Sequence, residues 1–214
     1  MKVKIWSDIR CPFCYIGKRK FEKALEQFEF RDELELNWKS YELDPTLKTD
    51  PEKNLYDYFS EIKGVSREQA VQMNEQVTGI AREIGLEFNM DHAKVANSYR
   101  AHKLIQYAKK KGFANEMEEA LFKAYFTDSN NIDDENVLNE IGGSLGISQE
   151  EMSKIFDSTE LDEAVKQDQM EARAIGVRGV PFFVFDDRYA VSGAQSPETF
   201  LQVLNQVMQE RKTA

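Results

Sequence analysis

Two cysteines separated by two residues constrain this chain more than any other feature. Cys11-Pro12-Phe13-Cys14 holds the only cysteines in the sequence, directly after the apolar run Val3-Lys4-Ile5-Trp6. A long helical pattern follows, from Tyr15 to about Gln27, with Ile16, Phe21, Ala24, Leu25 and Phe28 on one face. The pair therefore sits at the junction of a strand and the start of a helix. The first turn of a helix has unpaired N–H groups and partial positive charge, which stabilise a thiolate placed there. Only the thiolate attacks a disulfide, so this position makes a cysteine reactive. Pro12 falls in the first turn, where its missing N–H costs nothing. The expected roles are Cys11 as exposed nucleophile and Cys14 as partly covered resolving thiol, with Pro12 and Phe13 tuning the pair. Two unrelated core cysteines are the plainer alternative.

The remaining pattern supplies a frame for that junction. Leu34, Leu36 and Trp38 alternate as a half-buried strand, completing a βαβ unit that ends at Asp44-Pro45. The long stretch that follows contains no convincing strand. Ser66-Arg-Glu-Gln69 is a capping box for a helix whose expected apolar face is Ala70, Met73, Asn74, Val77, Ile80, Ala81 and Ile84. Further helices are expected over about 93–111, around Met117–Tyr125, from Asp133 to the glycines at 142–146, after the capping box at Ser148, and over about 161–174. Strands return only at Phe182-Phe-Val-Phe185 and Tyr189-Ala-Val-Ser192, followed by a helix capped by Ser196-Pro197. The reading is an α/β domain formed by residues 1–45 and 176–214, interrupted by an all-helical insertion over 46–175.

These segments resemble the thioredoxin-like oxidoreductases of the DsbA superfamily, and more closely their FrnE-type branch, described as polyketide-biosynthesis dithiol-disulfide isomerases. The resemblance is carried by Asp8-Ile-Arg-Cys-Pro-Phe-Cys-Tyr-Ile-Gly17, Ser98-Tyr-Arg-Ala-His-Lys-Leu104, Leu121-Phe-Lys-Ala-Tyr-Phe126, Gly176-Val-Arg-Gly-Val-Pro-Phe-Phe183 and Ser192-Gly-Ala-Gln195. It spans nearly the whole chain. It implies a thioredoxin-like fold (βαβ…ββα) with a large helical insertion, and a thiol–disulfide oxidoreductase or isomerase working through a mixed disulfide. It also implies that Pro181 follows a cis peptide bond and faces the cysteines, leaving the Val180 backbone free to bind an extended substrate. An ordinary proline at the first residue of a strand would read the same in sequence. Phe13 is a departure: the DsbA proteins themselves have histidine before the second cysteine, and this branch often has tryptophan.

The same layout resembles kappa-class glutathione transferases and 2-hydroxychromene-2-carboxylate isomerases, which carry serine where Cys11 stands. A glutathione-dependent isomerase or transferase is therefore the alternative, and a chaperone-like peptide-binding module is a third reading. No metal or organic cofactor is expected, with glutathione possible as a reductant. Only His92 and His102 could join a zinc site, and no cysteine is left over for one. His102 borders an apolar helix face and reads as a satisfied core histidine, with a role near the cysteines as the sharper alternative. Asp8, three residues before Cys11, reads as a turn cap or as an acceptor for the Cys14 proton. A net charge of −10 disfavours nucleic acid and anionic membrane as partners. The expected partner is a disulfide- or thiol-bearing protein or a small thiol. No apolar run has the length of a signal peptide or membrane span, so a cytoplasmic location is expected, where two cysteines at this spacing read as a cycling pair.

Overall fold

The computed structural model describes residues 1–213; residue 214, the last of the second expected α/β segment, lies outside them. The chain opens with β1 (Lys2–Ser7), α1 (Pro12–Glu26) and β2 (Glu35–Ser40). After the intervening segment it closes with β5 (Phe182–Phe185), β6 (Tyr189–Ser192) and α9 (Pro197–Thr213). These strands make one sheet in the order β2-β1-β5-β6, with β1 parallel to β2 and antiparallel to β5. The sheet therefore joins the two ends of the chain: Ile5 lies opposite Phe183 and Trp6 opposite Phe182. This is the βαβ…ββα order expected from the sequence.

Both faces of β5 are covered, which explains its unbroken apolar run. On one face Phe183 packs with Phe21 of α1 and Phe200 of α9, at ring-centroid distances of 5.4 and 4.7 Å. On the other, Phe182 and Val184 pack with Trp6 and with Ala172 and Val177. Ala172 belongs to α8 (Thr159–Ala174), which is tied to the sheet edge through Asp168. The Asp168 carboxylate accepts hydrogen bonds from Lys39, Gln106 and the Ser40 backbone, and its carbonyl accepts one from the Trp6 indole.

The segment between the two halves of the sheet is not all-helical. It holds an antiparallel pair, β3 (Asp50–Asn54) and β4 (Lys94–Val95), between which lie α2 (Leu55–Lys63) and α3 (Arg67–Glu83). Neither strand is legible as one. Asp50-Pro-Glu-Lys-Asn54 is polar throughout, and the pairing with two residues of β4 is irregular. The α2 helix was likewise hidden behind that polar run; Asn54 caps it by accepting from the Tyr56 backbone. The α3 capping box is present as expected, with Ser66 and Gln69 bonded reciprocally. Its buried stripe is narrower than the periodicity implies: Ala70, Asn74 and Ala81 are buried, but Met73 and Ile80 are 40% and 37% exposed.

The remaining helices are α4 (Tyr99–Lys111), α5 (Ala114–Phe126), α6 (Glu135–Ser144) and α7 (Gln149–Phe156). Gly112 ends α4 in the left-handed region, at φ 87°, where a glycine carries no Cβ penalty. An aromatic stack joins α5 to the cysteine helix: the Tyr15 ring of α1 lies 4.9 Å from that of Phe122 and nearly parallel to it, and Phe88 stacks on Phe126 at 4.6 Å. The Tyr15 hydroxyl donates to Glu119, which also pairs with Lys18 and Arg19. The intervening helices thus press on the same helix whose first turn carries the cysteines.

Candidate active site

Cys11 is the N-cap of α1, with extended backbone (φ −90°, ψ 111°), and Pro12 is the first helical residue. The strand ends at Ser7, and a turn closed by the Cys11 N–H donating to the Asp8 carbonyl (2.9 Å) brings the chain into the helix. No acidic residue occupies the first turn, so nothing there opposes a thiolate at this end of the helix dipole. Phe13 points outward, 42% exposed, beside the pair.

The second half of the site comes from the other end of the chain. Val180-Pro181 is a cis peptide bond. The Cys11 thiol donates to the Val180 carbonyl at 3.4 Å. Pro181 packs on α1 at Gly17, where a Cβ would lie 2.8 Å from the proline Cγ and 3.6 Å from the Ala194 backbone. Glycine is required at position 17 because the proline ring and that backbone approach so closely. Cys11, Cys14, Pro12, Phe13, Val180 and Pro181 are therefore brought together as expected.

Exposure of Cys11 is where the structure departs from expectation. Cys11 is 6% exposed and Cys14 1%, so both are buried. The Val180 carbonyl lies over the Cys11 sulfur, and coverage of a helix tip by a segment remote in sequence cannot be read from local pattern. The ranking survives, since Cys14 is the deeper thiol. Burial, and then its hydrogen bond to Cys11, push the Cys14 thiol well above its ordinary value. The thiol thus stays protonated, and the Asp8 backbone N–H and the Ser7 hydroxyl face its sulfur and partly offset that rise.

Asp8 and His102 meet beneath the cysteines. His102 Nε2 stands 3.7 Å from Asp8 Oδ1, an ion-pair distance beyond hydrogen-bond reach, with both side chains buried. Burial penalises both charges, yet each outweighs it for the other: the Asp8 carboxyl is held below its ordinary value and the His102 imidazole above its own. Asp8 also accepts from the Arg10 and Leu43 backbone N–H groups at 3.1 and 2.8 Å, so the turn-capping reading is correct. His102 is not a satisfied core histidine: neither ring nitrogen has a hydrogen-bond partner. Its side chain comes from α4, one of the intervening helices, and nothing in its local sequence names Asp8 as its neighbour.

Sequence reasoning missed Glu118 and Arg10. Glu118 lies on α5 between Met117 and Leu121, fully buried, and burial pushes its carboxyl up to about 8. A carboxylate four residues after Ala114 and seven before Tyr125, on the apolar stripe of that helix, was the available signal. Arg10 donates to the Tyr58 hydroxyl at 3.1 Å and lies over the Tyr58 ring. Among the described residues, no cluster of His, Cys, Asp and Glu has the arrangement of a metal site. Two surface clefts, of about 470 and 390 Å³, are lined by residues such as Tyr99 and Met170, or Tyr56 and Phe88, and by none of the cysteine-site residues. No helix among the described residues is long and apolar enough to cross a membrane.

Comparison with known proteins places this geometry. The chain is 34% identical to a probable DsbA oxidoreductase from Streptomyces coelicolor, whose structure superposes with a TM-score of 0.91 over 98% of this chain and 91% of that one. It also shares its fold with a 2-hydroxychromene-2-carboxylate isomerase (TM-score 0.72, 15% identity, 100% and 98% of the two chains). A cytosolic disulfide reductase, DsbM from Pseudomonas aeruginosa, has the same fold (TM-score 0.70, 16% identity, 98% and 99%). The description DSBA-like thioredoxin domain matches residues 2–205, which takes in both cysteines, the intervening helices and the Val180-Pro181 segment. A match of that extent means that the chain belongs to the DSBA-like thioredoxin family.

Proposed function

We propose that the protein is a thiol–disulfide oxidoreductase or isomerase in which Cys11 and Cys14 cycle between dithiol and disulfide. The observation that carries this reading is the placement of Cys11 at the N-cap of α1 with Cys14 one turn further into the helix and more deeply buried. The Cys11 thiolate attacks a substrate disulfide, forming a mixed disulfide and releasing one substrate thiolate. The Cys14 thiolate then attacks the Cys11 sulfur, the mixed disulfide breaks, and the second substrate thiolate leaves. Two electrons pass from the protein dithiol to the substrate, and the reverse sequence oxidises a substrate dithiol. No organic cofactor or metal enters, and glutathione is a suitable reductant. Val180 and Pro181 form the substrate-facing wall, with the Val180 backbone available to an extended chain once the Cys11 thiol turns away.

In this reading residues 46–175 are an inserted domain over the site, the chain falls in the FrnE-type branch, and it works in the cytoplasm. Substrates are disulfide- or thiol-bearing proteins or small thiols, and the net charge of −10 disfavours nucleic acid and anionic membrane as partners. The shared fold with an isomerase at 15% identity is no argument for isomerase chemistry, and a resolving thiol has no task in such a reaction.

Alkylation of the reduced protein tests the assignment. Cys11 is expected to react at least about tenfold faster than Cys14 at neutral pH, because only Cys11 sits at the helix tip while burial keeps Cys14 a thiol. Mass spectrometry of time-quenched samples gives both rates, and equal rates would remove the assigned roles.

A further inference from the structure

The 390 Å³ cleft contains no residue of the cysteine site, and the exchange steps leave it unused. From α3 it is lined by Glu75, Thr78, Gly79 and Arg82. That spacing, i, i+3, i+4 and i+7, puts the four on one face of the helix, distinct from the buried stripe of Ala70, Asn74 and Ala81. The facing wall is the segment after α3, with Phe88, Asn89 and Asp91, and Tyr56 of α2 completes the lining. This wall is firmly held. The Asn89 N–H donates to the Phe126 carbonyl at 2.6 Å, and the Thr127 and Ser129 hydroxyls donate to the Glu87 and Asn89 carbonyls at 2.8 and 3.1 Å. Phe88 itself stacks on Phe126 and Tyr15. The cleft is therefore preformed, as small-molecule sites usually are.

Charges of both signs stand in this cleft without partners. Asp91 accepts from the Tyr56 hydroxyl at 2.6 Å, and Glu75 lies near the same hydroxyl, so the two carboxylates share one end. Arg67 lies over the Tyr56 ring, but its guanidinium is bound to Asp57 at 3.0 Å. Among the described residues Glu75 and Arg82 have neither an ion-pair nor a side-chain hydrogen-bond partner. They are two turns apart, about 10.5 Å along the axis, too far to serve each other. A cation in the last turn of a helix complements its dipole, which accounts for Arg82 but not for Glu75 in mid-helix. Gly79 lies between them. A glycine inside a helix destabilises it relative to alanine, yet a Cβ at Gly79 would meet nothing within 4 Å. Packing does not require this glycine. Its effect is an open floor on which a bound molecule can approach the helix backbone.

We propose that this cleft binds a short peptide of two or three residues by its free termini, the ammonium at Glu75 and Asp91 and the carboxylate at Arg82. Unpaired charges of both signs in one polar cleft fit a zwitterion, and their separation sets its length. The ammonium and carboxylate of a free amino acid sit on one carbon and cannot reach both ends. An extended chain covers about 3.3–3.6 Å per residue, so two or three residues span the distance as the Glu75 and Arg82 side chains lean inward. The guanidinium offers a carboxylate paired N–H donors, and the two carboxylates accept from the ammonium, all as charge-assisted hydrogen bonds. The Phe88 ring gives a side chain of the peptide an apolar wall. No bond is made or broken here, and the inference does not depend on the chemistry of the cysteines.

Titration of isotope-labelled protein with trialanine, followed by amide NMR, tests this. Saturable shifts are expected at residues 75–82 and 87–91. N-acetyl-trialanine amide, which lacks both terminal charges, is expected to bind at least about tenfold more weakly, and so is free alanine. Arg82→Gln is expected to weaken trialanine binding by about tenfold to a hundredfold. Gly79→Leu fills the floor of the cleft and is expected to abolish binding. It puts a better helix former where a Cβ meets nothing, so its urea midpoint is expected to be no lower than that of the wild type. Absence of saturable shifts with trialanine overturns the proposal. So does equal affinity for the capped peptide or for free alanine, or wild-type binding by Gly79→Leu.

Discussion

Replacing Cys14 with serine is expected to turn the protein into a trap for its substrates, while replacing Cys11 is expected to silence it. In Cys14→Ser the Cys11 thiolate still attacks, but a serine hydroxyl cannot displace the substrate from the mixed disulfide. Covalent adducts should therefore accumulate, stable to gel electrophoresis without reductant and released by dithiothreitol. In Cys11→Ser the remaining thiol is still buried, and burial, the largest cause of its raised value, keeps it a poor nucleophile. Its exchange rate should fall by roughly 10³-fold or more, within the range seen when a covalent nucleophile is removed. Both measurements use the same disulfide substrate and the same gel. Equal trapping by the two variants would reverse the assignment of nucleophile and resolving thiol.

Asp8→Asn is expected to cost the protein about 3–5 kcal/mol of stability at pH 5.5, because it removes one partner of a buried ion pair and leaves His102 uncompensated. The substitution also puts an amide where the Arg10 and Leu43 backbone N–H groups now donate to a carboxylate. The loss should shrink at higher pH, where an unpaired imidazole escapes the penalty by deprotonating. The sign follows from the two shifts. Asp8 is lowered in the folded state, so its contribution is present above its unfolded value near 3.8 and lost as the pH falls through the folded value. His102 is raised, so its contribution is complete below its unfolded value near 6.5 and lost as the pH rises through the folded value. The pair is thus strongest between about pH 4 and 6.5. Glu118 adds to the decline above that window: folding raises its carboxyl from 4.5 to about 8, so the folded state binds the proton more tightly and loses stability as the pH rises across that range. Urea unfolding of wild type and Asp8→Asn at pH 5.5 and 8 reads both effects. A loss under about 1 kcal/mol at pH 5.5 would mean that His102 is neutral and the two residues are not an ion pair.

Sequence legibility followed the range of the interactions involved. The strand, Cys11-Pro12-Phe13-Cys14 and the apolar face of α1 are local, and each fell where the pattern puts it. The capping boxes at Ser66 and Ser148 and the glycine stop at Gly112 are equally local, and all three are present. The β3–β4 pair was hidden because its residues are polar and its pairing joins positions about 40 apart without an alternating signal. In the site, Val180-Pro181 was identified only through the family pattern, and its distance from Cys11 is set by the sheet that joins the two chain ends. The burial of Cys11 and the Asp8–His102 pair depend on how α4 and α5 dock on α1. That docking is decided by packing of whole helices, such as Tyr15 against Phe122, and leaves no mark at the cysteines themselves.

The central claim is that Cys11 and Cys14 form one reversible two-electron couple, and equilibration with glutathione buffers tests it most directly. The fraction of protein holding an intramolecular disulfide, read by mass after acid quench and alkylation, should follow a single two-electron curve. Its midpoint should lie between those of DsbA and thioredoxin, at roughly −150 to −250 mV, because the helix terminus stabilises the thiolate while Phe13 adds no charge or ring N–H beside it. A pair that forms no intramolecular disulfide across the whole range of buffers would contradict the account.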